Sequence, residues 1–324
     1  MKPAQKLGLA VLAGLLVFAS LSALRQEMLS RGLKLDKSMD FSPARVAVLP
    51  LNGEITDGAE TIHWLRQFGE NTGGVKAIVI ALNTPGGAVA PSQEICQEIE
   101  RLRKDDGIKV VAAMGSMAAS GGYYIASSCD EIVADPGTVT GSIGVIMETF
   151  EGQALLDKLG VKSEVVKSAE FKDAGSPFRA MSARDRAVFQ GTVNDVYDQF
   201  VGDVASGRRG ALAAAMARRT GLKAASFTDK EIKAYVKSLA DGRIYTGRQA
   251  YRLGLVDSLG GLEDAIAKAQ DLAGLKSADV VTIREPRSFA ETMTGMDRAG
   301  WSAFLRETLL GSAWSGPHLS YLLR

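Results

Sequence analysis

The chain has 324 residues, 46% apolar and 23% charged. That length can bury a substantial core in one large domain or two ordinary ones, and that composition excludes a disordered chain. Lys plus Arg number 38 against 37 for Asp plus Glu, a formal net charge of +1, so nothing points to a nucleic-acid partner, which usually needs a clustered basic face.

Residues 7–24, LGLAVLAGLLVFASLSAL, run for 18 positions without a charge. As a helix at about 1.5 Å per residue they reach roughly 27 Å, enough for a bilayer core. Lys2 and Lys6 precede the run, and Arg25, Arg31 and Lys34 follow it, so the flanking charges are nearly balanced. Small residues at Ser20 and Ser22 keep a cleaved signal peptide as the competing reading. The expectation is an uncleaved transmembrane anchor at 7–24, a short flank at 1–6, and a juxtamembrane linker over 25–44 that closes at Ser42-Pro43.

From Arg45 the pattern alternates strand and helix. Val46 to Leu51 is a short apolar run ended by Asn52-Gly53. Residues 58–70 read as helix. Residues 75–82, VKAIVIAL, read as a strand buried on both faces. Asn83-Thr84-Pro85-Gly86-Gly87 breaks it, and 90–104 is an amphipathic helix with Ile95, Ile99 and Leu102 on one side. A strand over 108–113 leads to the stretch MGSMAASGGYY, then a short helix to about Ser127 and a strand at 131–134. Further strands are expected at 139–147, interrupted by Gly141 and Gly144, and at 161–167. Strands separated by helices argue for βαβ units. Beyond Ala180 the chain turns helical: 182–206 from a Ser182 cap, with Asp185 at the third position, then 210–219, 228–240, 246–253 and 262–273, with a late strand at 280–283. The tail from 286 to 324 carries Trp301, Phe304, Leu305, Trp314 and Leu322, too apolar for a simple disordered end.

The two cysteines, Cys96 and Cys129, form no metal-ligand spacing and read as small buried hydrophobes, although a pairing stays open for a domain outside the cytoplasm. No residue pattern calls for a metal or cofactor. The two histidines, His63 and His318, read as ordinary surface or packing residues, which leaves little room for a histidine base.

Two glycine-rich breaks fall at the carboxyl ends of expected parallel strands, Pro85-Gly86-Gly87 and Ser120-Gly121-Gly122. Ligands of open α/β folds gather at such ends. Glycines there let a carbonyl approach backbone N–H groups, and a serine opening a helix sits where unpaired N–H groups stabilise an oxyanion. Ser120 is thus a candidate nucleophile, with the N–H groups of Gly87 and Gly121 as oxyanion donors. Read alone, Ser120 is a helix N-cap beside turn glycines. A serine nucleophile needs a base. Lys172, in Ala169-Glu170-Phe171-Lys172-Asp173, is a candidate if desolvation makes its neutral amine available. Read alone it is a solvated loop lysine, and Glu170 and Asp173 would oppose that role if they lay close to the amine.

The segments LNTPGG (82–87), MAASGGYY (117–124), ADPGTVTGSIGVI (134–146), SAEFKDAGSPFR (168–179) and DGRIYTGRQAYRLGLVDSLGG (241–261) resemble the short bacterial form of the signal peptide peptidase A family, membrane-anchored serine peptidases with a Ser-Lys dyad. The resemblance spans roughly residues 45–275. It implies an α/β fold, the ClpP/crotonase-like spiral of ββα units, in a peptidase domain placed here at 45–285. It implies that Ser120 is the nucleophile, Lys172 the general base and Ser142 the hydroxyl that orients the lysine, with Gly87 and Gly121 at the oxyanion positions. It further implies a ring-shaped homo-oligomer in the bacterial inner membrane, its single-pass anchor touching lipid and its catalytic domain outside the cytoplasm. Substrates would be signal-peptide remnants and other unfolded apolar peptides, bound beside Gly86, Ala88, Val89, Met117, Ala118 and Ala119. A stomatin-operon type membrane peptidase is the nearest rival reading. A crotonase-type acyl-CoA enzyme is a more distant one, since it needs neither a serine nucleophile nor an anchor.

Overall fold

The computed structural model describes residues 44–70 and 74–283. The anchor expected at 7–24, all but the last residue of the linker, the tail from 286 and His318 lie outside the described residues. Among the described residues no helix is long and apolar enough to cross a membrane.

The elements follow in chain order: β1 (Arg45–Asn52), α1 (Ala59–Gly69), β2 (Val75–Thr84), α2 (Val89–Lys104), β3 (Lys109–Ala119), α3 (Gly121–Ser127), β4 (Glu131–Ala134), β5 (Val139–Gly141) and α4 (Gln153–Lys158). After a 3-10 turn at Glu170–Asp173 come α5 (Ala183–Gly207), α6 (Arg209–Thr220), α7 (Asp229–Leu239), β6 (Ile244–Thr246), α8 (Gly247–Leu253), β7 (Ser258–Leu259), α9 (Leu262–Leu272) and β8 (Asp279–Thr282). The strands form one mixed α/β sheet in the order β6-β5-β3-β2-β1-β8, with β4 between β3 and β7. Every pairing is parallel except β5 with β6.

The continuous apolar runs of β1 and β2 follow from burial on both faces. Ala47, Leu49, Leu51, Ile78, Ile80 and Leu82 turn to the larger core, shared with α1, α2, α3 and α5. Val46, Val48, Ala77 and Val79 turn to a smaller one, closed by Ala265, Ile266 and Ala269 of α9. This is the period-two alternation of a strand, here with both sides covered.

β3 has two successive partners on the same edge. Val111–Met114 pairs with β4, and Met117–Ala119 pairs with β5. Where the partners change, Thr138 Oγ1 donates to the Gly115 carbonyl at 2.7 Å, and one step on Thr140 Oγ1 donates to the Ala118 carbonyl at 2.6 Å. Two buried threonine hydroxyls thus satisfy carbonyls in the region where the ladder switches. The switch extends β3 to the residue before Ser120.

Two expected strands are absent or shortened. The strand expected over 139–147 ends at Gly141. Val161–Lys167 is not a strand, and Val161, Val165 and Val166 are exposed at 50%, 51% and 102%. A β-branched run becomes strand only with a neighbour to pair with, and the structure gives this one none. Cys96 and Cys129 are free and buried. Burial pushes both thiols up, Cys129 to about 12, so neither is a reactive thiolate.

Candidate active site

The carboxyl end of β3 hands over to α3 through one residue. Ser120 sits at φ 51°, ψ −119°, a conformation that costs a residue with a Cβ of order 1–3 kcal/mol. Its backbone is fixed on both sides: its N–H donates to the Gly141 carbonyl at 2.9 Å, and its carbonyl accepts from Tyr124 N–H at 2.8 Å. Its hydroxyl has no partner among the described residues and caps no helix N–H, so the N-cap reading of this serine does not hold. A sharp strand-to-helix turn that presents a free hydroxyl is the geometry of an activated nucleophile, reached here without a G-x-S-x-G sequence.

The turn after β2 packs directly on this corner. Gly86 has φ +100°, and a Cβ there would lie 2.6 Å from Gly121 N, 2.7 Å from the Ala119 carbonyl oxygen and 2.8 Å from Ser120 Cβ. Only glycine allows that approach. The donors of the turn are used selectively. Gly86 N–H goes to Thr84 Oγ1 at 3.0 Å and Ala88 N–H to the Ile55 carbonyl at 2.7 Å. The N–H groups of Gly87 and Gly121 have no acceptor among the described residues. A Cβ on Gly121 would lie 3.3 Å from Gly87 N, so the two unused donors are neighbours beside the serine.

Ser142 reaches the same place from β5. It too has φ 51°, and its N–H donates to the Arg243 carbonyl at 2.9 Å. Because Gly141 accepts from Ser120 N–H, the two serines sit across one backbone hydrogen bond.

A cavity of about 490 Å³ opens over this corner. Gly87, Ser120, Gly121 and Ser142 line it, with Val89, Ser92 and Gln93 from α2, Tyr124 from α3, and Val145 and Ile146 after β5. Val193, Asn194, Val196, Tyr197 and Phe200 of α5 form the far wall, and Asp241 and Gly242 the rim. The α5 wall is the part that sequence reading missed. Tyr124 lies tilted on Phe200 with ring centroids 4.7 Å apart, and its hydroxyl donates to Asp203. Burial, with the Asp203 carboxylate beside it, pushes that phenol well above its ordinary value, so it stays protonated. Of the expected substrate contacts, Val89 lines the cavity, whereas Gly86, Ala88, Met117, Ala118 and Ala119 do not. Ala118 and Ala119 are buried at 0% and 5% exposure.

Lys172 does not line this cavity. It is exposed on the 3-10 turn, and its amine has no partner among the described residues. The acids beside it are engaged elsewhere. Glu170 pairs with Arg184 at 2.8 Å, and Asp173 with Lys167 at 2.7 Å and Arg179 at 3.0 Å. Arg179 also holds Asp185 at 2.6 Å, inside the capping box of α5. Hydrogen bonds from Arg179 and then Lys167 hold the Asp173 carboxyl well below the usual range, and Arg179 does the same for Asp185. The neighbouring acids therefore do not bind the Lys172 amine.

The peptidase family S49 model matches residues 102–226 and 228–276. A Synechocystis protein carrying a protease assignment is 41% identical over 223 residues, covering 68% of this chain and 72% of its own. An Enterococcus faecium protein assigned as a signal peptide peptidase is 34% identical over 281 residues, 82% of this chain and 75% of its own. Among solved structures, a mutant membrane-bound stomatin-specific protease in complex with a substrate peptide overlaps at TM-score 0.45 and 18% identity, over 78% of this chain and 96% of that one. The family match covers the serine corner with Gly121, Ser142 and the Lys172 segment, and on it and the two relatives the chain belongs to peptidase family S49, the serine peptidases of the signal peptide peptidase A kind.

Proposed function

We propose that the chain is a Ser-Lys endopeptidase that cleaves signal-peptide remnants and other unfolded apolar peptides through an acyl-enzyme. The observation that carries this reading is the strained Ser120 corner, with its free hydroxyl, beside two unused glycine N–H groups in a largely apolar cavity. Ser120 Oγ attacks the scissile carbonyl and gives its proton to the neutral Lys172 amine. The N–H groups of Gly87 and Gly121 receive the oxyanion. The ammonium then protonates the leaving amine, and water, with the lysine again as base, releases the acyl group. Ser142, beside the nucleophile, orients the amine. The lining of Val89, Val145, Ile146, Val193, Val196 and Phe200 suits an apolar side chain next to the scissile bond.

The exposed position of Lys172 favours a base delivered by a neighbouring copy. The chain segment that includes it, 146–178, exposes Ile146 and Phe150 at 82%, Val166 at 102% and Phe178 at 52%, apolar side chains that burial against another copy would cover. This supports a homo-oligomer, of the ring kind that the family resemblance implies, in which the lysine of one copy meets the serine of the next. We further read the sheet as the ClpP/crotonase-like spiral, residues 7–24 as its anchor in the bacterial inner membrane, and the catalytic domain as extracytoplasmic. The uncharged run at 7–24 supports the anchor.

A fluorescent serine-hydrolase probe tests the assignment. It should label the protein, and Ser120→Ala should lose both labelling and turnover. Lys172→Ala should lose turnover to a similar degree, and combining the two should cost little more. Co-assembly of Ser120→Ala chains with Lys172→Ala chains should restore part of the activity if dyads form between copies. Near-normal turnover in Lys172→Ala would sink the dyad, and no recovery in mixed assemblies would place the lysine within one chain.

A further inference from the structure

We propose that Thr84 is a positioning residue for the oxyanion donors, tying the glycine turn after β2 to the start of the nucleophile helix; the proposal rests on the Ser120 reading above. Thr84 is the last residue of β2 and is fully buried. Between Leu82 and Thr84 the ladder with β3 slips, and Thr84 pairs with Ala118, two residues before the nucleophile. By strand alternation Thr84 falls on the face of Ile80 and Leu82, so a polar side chain points inward where the strand becomes the turn.

The two branches of this side chain do different jobs. Oγ1 accepts Gly86 N–H at 3.0 Å. Cγ2 lies against α3: a Cβ on Gly122 would approach it to 2.6 Å. One residue therefore touches both segments that carry the proposed oxyanion donors. On the far side of the turn, Ile55 N–H donates to the Gly86 carbonyl at 2.9 Å, the Ile55 carbonyl accepts Ala88 N–H, and Ser92 Oγ donates to the Ala88 carbonyl at 2.9 Å. Every polar backbone group of Gly86 and Ala88 is thereby bonded. Gly87 N–H, between them, is the donor that these anchors leave open.

Without the Thr84 hydroxyl, Gly86 N–H is buried beside an apolar group. It can recover an acceptor only if the peptide plane before Gly86 turns, and that plane is directly linked to the one that carries Gly87 N–H. Oxyanion donors act in the transition state and act only when well aimed, so the loss falls on kcat rather than on substrate affinity.

The experiment compares Thr84→Val with Thr84→Ser in the full chain, using a fluorogenic apolar peptide and counting sites by covalent titration. Valine keeps the shape and loses the acceptor; serine keeps the acceptor and loses the methyl contact with Gly122. Thr84→Val should lower kcat per titrated site about 10- to 100-fold with KM changed less than about threefold, and should weaken a peptide aldehyde, which mimics the tetrahedral adduct, by a similar factor. Thr84→Ser should keep kcat within about threefold. If Thr84→Val does not accumulate, Thr84→Cys replaces it, because it differs from Thr84→Ser chiefly in being a much weaker acceptor, and it must show the same loss. Normal kcat in Thr84→Val, or equal losses in both variants, would overturn the proposal and leave Thr84 a packing residue. Ser120→Ala in the same assay separates the two levels: if it stays active, the nucleophile assignment has failed, whereas an inactive Ser120→Ala beside a normal Thr84→Val refutes the Thr84 role alone.

Discussion

Replacing Ser120, the proposed nucleophile, by glycine should make this protein more stable than replacing it by alanine. At an unstrained site the order is the reverse, because glycine loses more backbone freedom on folding, a cost of about 0.5–1 kcal/mol relative to alanine. Ser120 has φ 51°, ψ −119°, where a Cβ costs of order 1–3 kcal/mol and glycine escapes that cost. Both variants keep the backbone bonds to Gly141 and Tyr124 at 2.9 and 2.8 Å, and neither breaks a side-chain bond, since the hydroxyl makes none. The difference between them is strain relief less glycine entropy, about 0–2.5 kcal/mol in favour of glycine and centred on ~1 kcal/mol. For a domain of this size roughly 2–4 °C accompanies each kcal/mol, so the unfolding midpoint of Ser120→Gly should lie a few degrees above that of Ser120→Ala. On the proposed mechanism both variants are inactive, so self-digestion does not bias a calorimetric or fluorimetric scan. A midpoint for Ser120→Ala above that of Ser120→Gly by the usual alanine advantage, about 0.5–1 kcal/mol, would show that the corner stores no strain. The expected order is the stability side of a stability–activity trade-off.

Gly86→Ala should fold with difficulty and lose about 10²–10³-fold in kcat, because its Cβ would meet backbone at 2.6 and 2.7 Å and must displace Gly121 N–H, a proposed oxyanion donor; a soluble variant with normal kcat on the fluorogenic peptide would refute the placement of that turn. The Lys172 segment should be stable from about pH 8 to 5 and loosen below about pH 4. Arg179 holds Asp173 and Asp185 below the ordinary carboxylate range, and a depressed carboxyl stabilises the fold above its unfolded value near ~3.9 and loses that contribution as pH falls towards its folded value. Hydrogen exchange over residues 167–185 at stepped pH checks this, and loosening that begins between pH 8 and 5 would contradict it.

The strands of the core were legible because burial on both faces writes an unbroken apolar run, as in VKAIVIAL. The handover from strand to helix at Ser120 was legible because an apolar run ends there in Ser-Gly-Gly, although the residues alone left a helix N-cap as a sufficient explanation of that serine. The run at 161–167 misled for the complementary reason: its valines have strand chemistry, but a strand also needs a neighbour, and pairing is not written in the run itself. The switch of β3 from β4 to β5 was invisible for the same reason, as was the short antiparallel β6 that braces Ser142 through Arg243. The α5 wall of the cavity was legible as a helix from its Ser182–Asp185 cap, but periodicity alone does not say that Val193 to Phe200 would close over a serine more than 70 residues earlier. Glu170 and Asp173 looked like opponents of the lysine because sequence proximity suggested contact. The structure gives each of them an arginine partner instead.

The outermost pairing of the sheet has a practical consequence. β8 runs parallel to β1, with Arg45 opposite Asp279 and Thr282 opposite Val48. The polypeptide therefore enters this unit at the amino end of the sheet and leaves it heading towards the carboxyl end, where the serine lies. Eight residues of β1 at about 3.3 Å each put roughly 25 Å between the point of entry and that end. A tether, tag or surface attachment joined ahead of Arg45 pulls on the floor of the molecule and leaves the mouth clear. One joined after Ile283 starts nearer the mouth, and a bulky partner fused there competes for space with incoming chains. Immobilisation through the amino-terminal side should therefore preserve access, and the carboxyl-terminal side is the place to put a blocker.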